Sequence, residues 1–252
     1  MVRTLLVGIG GPTCSGKTTL VKHLISLLPS TPAGSRPFII HQDDFAPPES
    51  SLIWNDEVGS ADWDDPDTSV DWSRLQSFLI HVKASGKLPK GHTSHDELNA
   101  LPELPIAEEI SAQCRQMLRE VLQHDGLEED VQIVLLDGFL LYYDRKVRSM
   151  IDVSVFLRIG RDMLADRRRK RGGYVTAEGV TWNVSPAAKI SDGRSLEPLL
   201  LTALCFAFRT RLSTLIASCG RRTLRPTRIS LLPGMSKLAS FLHPLLKRSP
   251  FV

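Results

Sequence analysis

Short runs of apolar residues alternate, along the first part of the chain, with segments whose apolar residues recur every three or four positions. Such runs are typical of buried parallel strands, and the three-to-four spacing is typical of one buried helix face. The predicted strands span 4–9, 38–40, 131–136 and 153–157, and the predicted helices span 17–28, 72–82 and 106–122. This alternation predicts an α/β fold, a parallel sheet with helices on both faces.

Turn and cap residues mark where these elements begin and end. Pro29 is expected to terminate the first helix, Asp71 to cap the second, and Gly126 to stop the third. The stretch from Lys83 to Pro105 is polar and broken by prolines, which predicts a surface loop.

The pattern decays after Val180, and the charge changes with it. Residues 182–252 contain 11 Lys and Arg against 2 acidic residues, whereas residues 1–181 contain 20 against 26. The overall net charge of +3 is therefore the sum of two unlike parts, +9 for residues 182–252 and −6 for residues 1–181. We interpret 1–179 as the folded domain and 180–252 as a basic, unpatterned tail, either a translated intron or frameshift or a poorly ordered segment.

Composition excludes several broad classes of protein. With 42% hydrophobic and 23% charged residues, the chain is not disordered as a whole. Cys14, Cys114, Cys205 and Cys219 form no CxxC pair, which argues against a zinc site or a disulfide framework. Apolar runs fall short of the roughly 18 residues that span a bilayer. We expect a soluble protein in the cytoplasm, with the nucleus as an alternative.

Residues 11–18 read Gly-Pro-Thr-Cys-Ser-Gly-Lys-Thr and match the phosphate-binding loop G-x-x-x-x-G-K-[ST]. Its glycines let successive backbone N–H groups converge on a phosphate at the start of a helix. Lys17 would reach the β- and γ-phosphates, and the Thr18 hydroxyl would bind Mg²⁺. The predicted ATP-binding residues of this loop are Gly11, Pro12, Thr13, Cys14, Ser15, Gly16, Lys17, Thr18 and Thr19.

Three carboxylates and a run of arginines are candidates for the chemistry beside this loop. Asp43 and Asp44 follow the second predicted strand, and Asp137 ends the third in the manner of a Walker B carboxylate. On the residues alone, each also fits a turn or a helix cap. Residues 167–171, Arg-Arg-Arg-Lys-Arg, fit either a solvated or nuclear-import-like basic run or the mobile lid of a small kinase.

With these motifs, residues 1–179 resemble the nicotinamide riboside kinases, especially the fungal ones, within the uridine kinase-like P-loop kinases. The resemblance implies transfer of the ATP γ-phosphoryl group to the 5′-hydroxyl of nicotinamide riboside, with Mg²⁺, and it fades near Gly179. The matching segments are 10–19, 41–45 (His-Gln-Asp-Asp-Phe), 61–66 (Ala-Asp-Trp-Asp-Asp-Pro), 137–142 (Asp-Gly-Phe-Leu-Leu-Tyr), 167–169 and 173–174.

The resemblance also implies roles for individual residues. Asp43 would be the general base and would face Mg²⁺ together with Thr18 and Asp137. At the position of Asp137, many members of the family have Glu instead. Arg168 would contact ATP. The implied substrate-binding residues are Asp43, Asp44, Phe45, Trp63, Asp64, Arg169 and Tyr174.

Within that set, Asp64 would hold the ribose hydroxyls, and Trp63 and Tyr174 would stack on the base. A cationic pyridinium gains roughly 0.5–2 kcal/mol from an aromatic face, which uridine does not. Without the resemblance, Trp63 also fits an ordinary half-buried loop aromatic.

Other functions stay open at this point. Another nucleoside or small-metabolite kinase, such as a uridine kinase, fits the same motifs, and so does a non-catalytic nucleotide-binding protein. The expected partner is a small nucleoside, either nicotinamide riboside or nicotinic acid riboside. Nucleic acid and membrane partners are not expected, because the basic segments lack interleaved aromatic residues.

Overall fold

A four-stranded parallel sheet forms the centre of the protein in a computed structural model. The structure describes residues 3–30, 35–57, 59–98, 106–124, 131–171, 174–175 and 181–182. Short 3₁₀ turns occupy Gln42–Phe45, Glu49–Ser51 and His95–Leu98. In chain order the other elements are β1 (Arg3–Gly10), α1 (Lys17–Leu27), β2 (Phe38–His41), β3 (Trp54–Asn55), β4 (Ser60–Ala61), α2 (Trp72–Ser85), α3 (Glu108–His124), β5 (Val131–Gly138), α4 (Arg145–Met150), β6 (Val153–Phe156), α5 (Arg161–Lys170), β7 (Tyr174–Val175) and β8 (Thr181–Trp182).

The strand order in the sheet is β2-β5-β1-β6, and all three neighbouring pairs are parallel. β1 pairs with β5 over eight residues, from Arg3 opposite Val131 to Gly10 opposite Gly138. The α/β fold predicted from the alternation is confirmed. Because parallel strands end at the same edge, the segments after β1, β2 and β5 meet there, which is where such sheets bind ligands.

Two apolar clusters cover the two faces of the sheet. Leu20, Val21 and Leu24 of α1 pack on one face together with Cys114 and Leu118 of α3. The other face is covered by α2 and α4, through Leu75, Leu79, Val82 and Val147. Burying one such aliphatic side chain stabilises the folded state by about 1.5–3 kcal/mol relative to leaving it exposed. The apolar positions that recur every three or four residues in the sequence are the ones that form this core.

Local signals set the limits of α2. The Asp71 carboxylate accepts a hydrogen bond of 3.0 Å from the backbone N–H of Arg74, which confirms the predicted cap. The helix runs to Ser85 and ends at Gly86, whose φ of 67° lies in the left-handed region that favours glycine. The prediction that a loop begins at Lys83 is therefore wrong by one helical turn.

The polar stretch after α2 also differs from a simple surface loop. The side chains of His92, His95 and Asp96 are largely buried; the two histidines contact Asp44 in the 3₁₀ turn, and Asp96 contacts Lys22 and His41. A segment this polar can be buried because its charged side chains form ion pairs with other parts of the protein. A polar sequence here therefore indicates buried ion pairs as well as exposure to solvent.

The last described pieces are β7 and β8, which pair antiparallel, Tyr174 opposite Trp182. Apart from Thr181 and Trp182, the predicted tail at 180–252 lies outside the described residues. Across the described ranges, no helix has the length and apolar character needed to cross a bilayer.

Candidate active site

The loop between β1 and α1 has the backbone of a phosphate-binding loop. Gly11, Cys14 and Gly16 have φ values of 153°, 62° and 93°. A Cβ on Gly11 would lie 2.8 Å from the Leu157 carbonyl oxygen, so glycine is required there for space as well as for φ. Residues with positive φ at this spacing form the concave backbone that binds anions at a helix N-terminus.

Lys17 lies across this loop. Its Nζ donates a hydrogen bond of 3.0 Å to the Pro12 carbonyl oxygen. Burial lowers the pKa of Lys17, and the carboxylates of Asp137 and Asp43 offset part of that effect. The lysine is therefore held at the loop with two carboxylates close enough to act on its charge.

Thr18 and Asp137, two of the residues predicted to bind Mg²⁺, are in direct contact. Thr18 Oγ1 donates a hydrogen bond of 2.6 Å to Asp137 Oδ2. Asp137 is only 4% exposed, and its buried Oδ1 has no hydrogen-bond partner among the described residues. An unpaired, buried carboxylate oxygen is costly, and a hard cation is a ligand that would satisfy it. The two residues therefore fit the binding of a divalent cation.

His41, at the end of β2, links that carboxylate to a second one. Its Nδ1 lies 3.3 Å from Asp137 Oδ2, and its Nε2 lies 3.6 Å from Asp96 Oδ2. Lys22 of α1 reaches the same Asp96 oxygen at 2.6 Å. Burial alone would lower the pKa of His41, but the hydrogen bond and charge of Asp137 outweigh it and raise that pKa.

Sequence reasoning missed this network. Lys22 and Asp96 stand far apart in the chain, within segments that resemble any solvated helix or loop. His41 adjoins the Gln-Asp-Asp-Phe motif, and that position was the available signal.

The turn after β2 carries the two predicted aspartates in different environments. Asp43 is half-buried, and its charge offsets part of the lowering of the Lys17 pKa by burial and contributes to the raised pKa of His95. The Asp44 side chain is only 3% exposed, and its Oδ1 accepts hydrogen bonds from Ser94 and His95. Burial would raise the pKa of Asp44, but these hydrogen bonds lower it further than burial raises it.

The neighbouring Phe45 ring is buried in the core, edge to face with Phe78 at 5.1 Å. The side chains of Phe45 and Asp44 thus both face other protein groups. The substrate contact that the resemblance implied for these two side chains does not follow from this arrangement.

Trp63 and Asp64 lie on an exposed loop whose shape is set by Asp62. Asp62 Oδ1 accepts hydrogen bonds from the backbone N–H groups of Asp64, at 2.9 Å, and Asp65, at 3.1 Å. Trp63 is 38% exposed, and Asp64 is exposed as well. Both side chains are therefore accessible to a ligand.

The same loop is anchored beside the Gln42–Phe45 turn. The backbone N–H of Asp71 donates to the Phe45 carbonyl oxygen at 2.8 Å. Tyr143, in the segment after β5, donates its hydroxyl to Asp67 Oδ1 at 2.5 Å. These contacts attach residues 67–71, which follow the exposed Trp63–Asp64 pair, to the turn after β2 and to the segment after β5.

Arg167 of α5 and Arg171, the residue that follows this helix, approach that loop. Arg167 Nη1 donates to the Cys14 carbonyl oxygen at 3.4 Å, and Arg171 Nη1 lies 4.0 Å from Cys14 Sγ. Arg169 is 73% exposed and pairs with Asp166 of its own helix at 3.8 Å.

Sequence reasoning instead selected Arg168 for ATP and Arg169 for the substrate. Arg168 lies in the last turn of α5, one residue after the arginine that contacts the loop. Tyr174 lies in β7, and the predicted stacking of its side chain is outside what the structure describes.

Comparison with known proteins places this site in a family. A model of the phosphoribulokinase/uridine kinase family matches residues 6–175. The chain is 30% identical to a nicotinamide riboside kinase of Eremothecium gossypii, over 73% of this chain and 70% of that protein. It is 29% identical to a nicotinamide riboside kinase of Schizosaccharomyces pombe, over 73% of each.

A third relative is named a uridine kinase and not a nicotinamide riboside kinase. The chain is 29% identical to a uridine kinase of Schizosaccharomyces pombe, over 66% of this chain and 31% of that protein. With the loop and carboxylates at the sheet edge described above, these matches show that the chain belongs to the phosphoribulokinase/uridine kinase family and is a kinase similar to the fungal nicotinamide riboside kinases.

Proposed function

We propose that this protein transfers the γ-phosphoryl group of ATP to the 5′-hydroxyl of nicotinamide riboside, giving nicotinamide mononucleotide and ADP. The observation that carries the proposal is the exposed Trp63–Asp64 pair, in a loop whose following residues 67–71 are held to the turn after β2 and to the segment after β5. The relatives named nicotinamide riboside kinase support it. We assign the activity to the predicted domain, 1–179.

The proposed transfer needs a base, and Asp43 is the candidate. As the riboside O5′–P bond forms and the bond from the γ-phosphorus to ADP breaks, the hydroxyl proton passes to the Asp43 carboxylate. The electrostatic effect of the Asp43 carboxylate on the Lys17 ammonium supports a place for Asp43 beside the phosphate-binding loop. Lys17 would bind the β- and γ-phosphates.

Charge on the transferring group would be stabilised from the α5 side. We assign this role to Arg167 and Arg171, because they contact the phosphate-binding loop at Cys14. Arg168 and Arg169, the residues that the sequence favoured, remain candidates for the same lid when it closes over the substrates.

Thr18, Asp137 and Asp43 are the residues that would hold Mg²⁺. The buried Oδ1 of Asp137, which no described residue hydrogen-bonds, supports this assignment. When bound, the cation supplies neutralisation of negative charge on the ATP phosphates. The chain itself orients the Thr18 hydroxyl and the Asp137 carboxylate toward each other.

Recognition of the nucleoside would come from the exposed loop. Asp64 offers two carboxylate oxygens to the ribose hydroxyls, which matches its exposed position. Trp63 offers an aromatic face to the cationic pyridinium, an attraction of roughly 0.5–2 kcal/mol. A neutral uracil ring would gain no such charge term.

A substrate panel tests this function. Purified protein with Mg·ATP is assayed on nicotinamide riboside, nicotinic acid riboside, uridine and cytidine. We expect the highest kcat/KM with nicotinamide riboside. Phosphorylation of uridine without phosphorylation of nicotinamide riboside would overturn the specificity and establish a uridine kinase, the second candidate favoured by the uridine kinase relative. ATP binding without turnover of any nucleoside would indicate a non-catalytic nucleotide-binding protein.

A further inference from the structure

The turn that carries Asp43 is held by ionic and hydrogen-bond contacts with a segment about fifty positions further along the chain. We call His92–Asp96 the strap. It lies between α2 and α3, in the stretch that the sequence predicted as surface loop. The strap has no part in the proposed transfer, yet its side chains make ionic contacts with three other segments of the site.

One end of the strap holds Asp44. His95 Nδ1 lies 2.5 Å from Asp44 Oδ1, which also accepts hydrogen bonds from Ser94 Oγ at 3.0 Å and from the His95 backbone N–H at 3.1 Å. His92 Nε2 lies 3.6 Å from Asp44 Oδ2. A carboxylate with so little exposure needs several donors, and the strap supplies these hydrogen bonds to Oδ1. Among the described residues, Oδ2 has no hydrogen-bond partner and has the ionic contact with His92.

At the other end of the strap, Asp96 contacts one residue of α1 and one residue of β2. Asp96 Oδ2 lies 2.6 Å from Lys22 Nζ on α1 and 3.6 Å from His41 Nε2 at the end of β2. His41 in turn contacts Asp137. The strap therefore connects the helix after the phosphate-binding loop with the strand that leads to Asp43.

Aromatic and backbone contacts complete the grip on the turn. The His92 ring lies 4.7 Å from Phe78 and stacks on Phe45 at 6.3 Å. Arg74 of α2 donates to the Asp44 carbonyl oxygen at 2.8 Å. Asp43 thus stands between two residues, Gln42 and Asp44, that are themselves held in place.

We propose that the strap positions the general base, with His95 acting through Asp44 to hold Asp43 where it can take the proton of the attacking hydroxyl. His95 and Asp44 are then positioning residues that act without touching the substrate. The inference rests on the proposed role of Asp43 as base. A catalytic group displaced by about 1 Å can cost about 100-fold in rate, which is the size of effect that a lost positioning contact produces.

Two variants of one histidine test this inference. The side-chain nitrogen of Asn occupies nearly the place of His Nδ1, whereas that of Gln lies one bond further out. We expect His95→Asn to keep kcat within about threefold of the unmodified protein and His95→Gln to lower kcat about 10- to 100-fold, with the KM for ATP nearly unchanged. His81→Gln, on the exposed face of α2, is the matched control.

Two outcomes would overturn the inference: His95→Gln keeping kcat within about twofold, or His95→Asn and His95→Gln losing it equally. Urea unfolding of each variant separates a lost fold from a lost position. Should His95→Gln fail to fold, Ser94→Ala removes one hydrogen bond to Asp44 with little change in volume and takes its place.

A measurement without turnover separates this inference from the proposed function. Hydrogen exchange of the backbone amides at 42–46 reports how firmly the turn is held, including the amide of Ala46, which donates to the Asp43 carbonyl oxygen. We expect about tenfold faster exchange there in His95→Gln, and unchanged exchange in β1. If no nucleoside is phosphorylated, the proposed function fails while faster exchange still supports the strap; unchanged exchange at 42–46 refutes it.

Discussion

Thr18 Oγ1 donates a hydrogen bond of 2.6 Å to Asp137 Oδ2, although the two residues stand 119 positions apart. The contact joins the first turn of α1 to the end of β5. It brings the hydroxyl of a phosphate-binding loop to a buried carboxylate, one oxygen of which has no hydrogen-bond partner in the part of the chain that the structure describes. The candidate cation site thus depends on the pairing of β1 with β5, which sets these two strand ends side by side.

Removing the Thr18 hydroxyl should weaken the use of Mg²⁺. Thr18→Val keeps the shape of the side chain and loses the hydroxyl, so we expect kcat to fall about 10- to 100-fold and the required Mg²⁺ concentration to rise. Thr18→Ser retains the hydroxyl and should stay within a few-fold. Mg²⁺ titrations of the kinase rate measure both, and equal loss in the two variants would contradict a ligand role for the hydroxyl.

Replacing Trp63 should affect a cationic substrate more than a neutral one. Trp63→Ala removes the aromatic face, and we expect the KM for nicotinamide riboside to rise about 2- to 30-fold, the equivalent of the cation–π term. Trp63→Phe should retain part of the effect, and uridine should respond little to either change. Steady-state kinetics with both nucleosides measure this; a parallel rise for both would show that Trp63 contributes packing alone.

Arg167 should contribute more to turnover than an exposed arginine elsewhere. Because it contacts the phosphate-binding loop at Cys14, we expect Arg167→Ala to lower kcat about 100-fold. Arg145→Ala, an exposed residue at the start of α4, is the control and should leave kcat unchanged. Turnover assays at saturating ATP compare the two, and a normal kcat for Arg167→Ala would exclude the role.

The ion pair between His95 and Asp44 should make stability depend on pH in two windows. The pKa of His95 is raised above 6.5, so its contribution is fully present below pH 6.5 and is lost as pH rises through the folded-state pKa. The pKa of Asp44 is lowered below 3.8, so its contribution is present above pH 3.8 and is lost as pH falls through that lower value.

Urea unfolding of the unmodified protein and of His95→Asn measures the upper window. Asn does not titrate, so the difference in unfolding free energy between the two proteins isolates the histidine. We expect the advantage of the unmodified protein to be larger at about pH 5.5 than at about pH 8.5. A difference that does not change with pH would mean that the ion pair does not stabilise the fold.

Much of the fold follows from local pattern. Apolar runs predicted all four strands of the central sheet to within about two residues, and three-to-four spacing predicted α1, α2 and α3. The loop at 11–18 was also readable, because its glycines and its lysine must stand at set distances along the chain. These features share one property: their residues are neighbours in the sequence.

The lid register and the strap were not readable in this way. A run of three arginines does not reveal which one faces the loop, because that depends on how α5 is rotated against it. The polar segment at 92–96 gave no sign that it turns inward, since its partners lie in α1, in β2 and in the turn after β2.

By itself, the sequence determined that this chain is an α/β protein with a phosphate-binding loop and three candidate carboxylates. The tertiary structure decided the surroundings of each carboxylate: Asp137 contacts Thr18, Asp43 acts on the charge of Lys17, and Asp44 is enclosed by the strap. The reason is physical. Helical and strand periods come from local sterics and burial, whereas the environment of an ionised side chain is set by charges that the fold brings from distant parts of the chain.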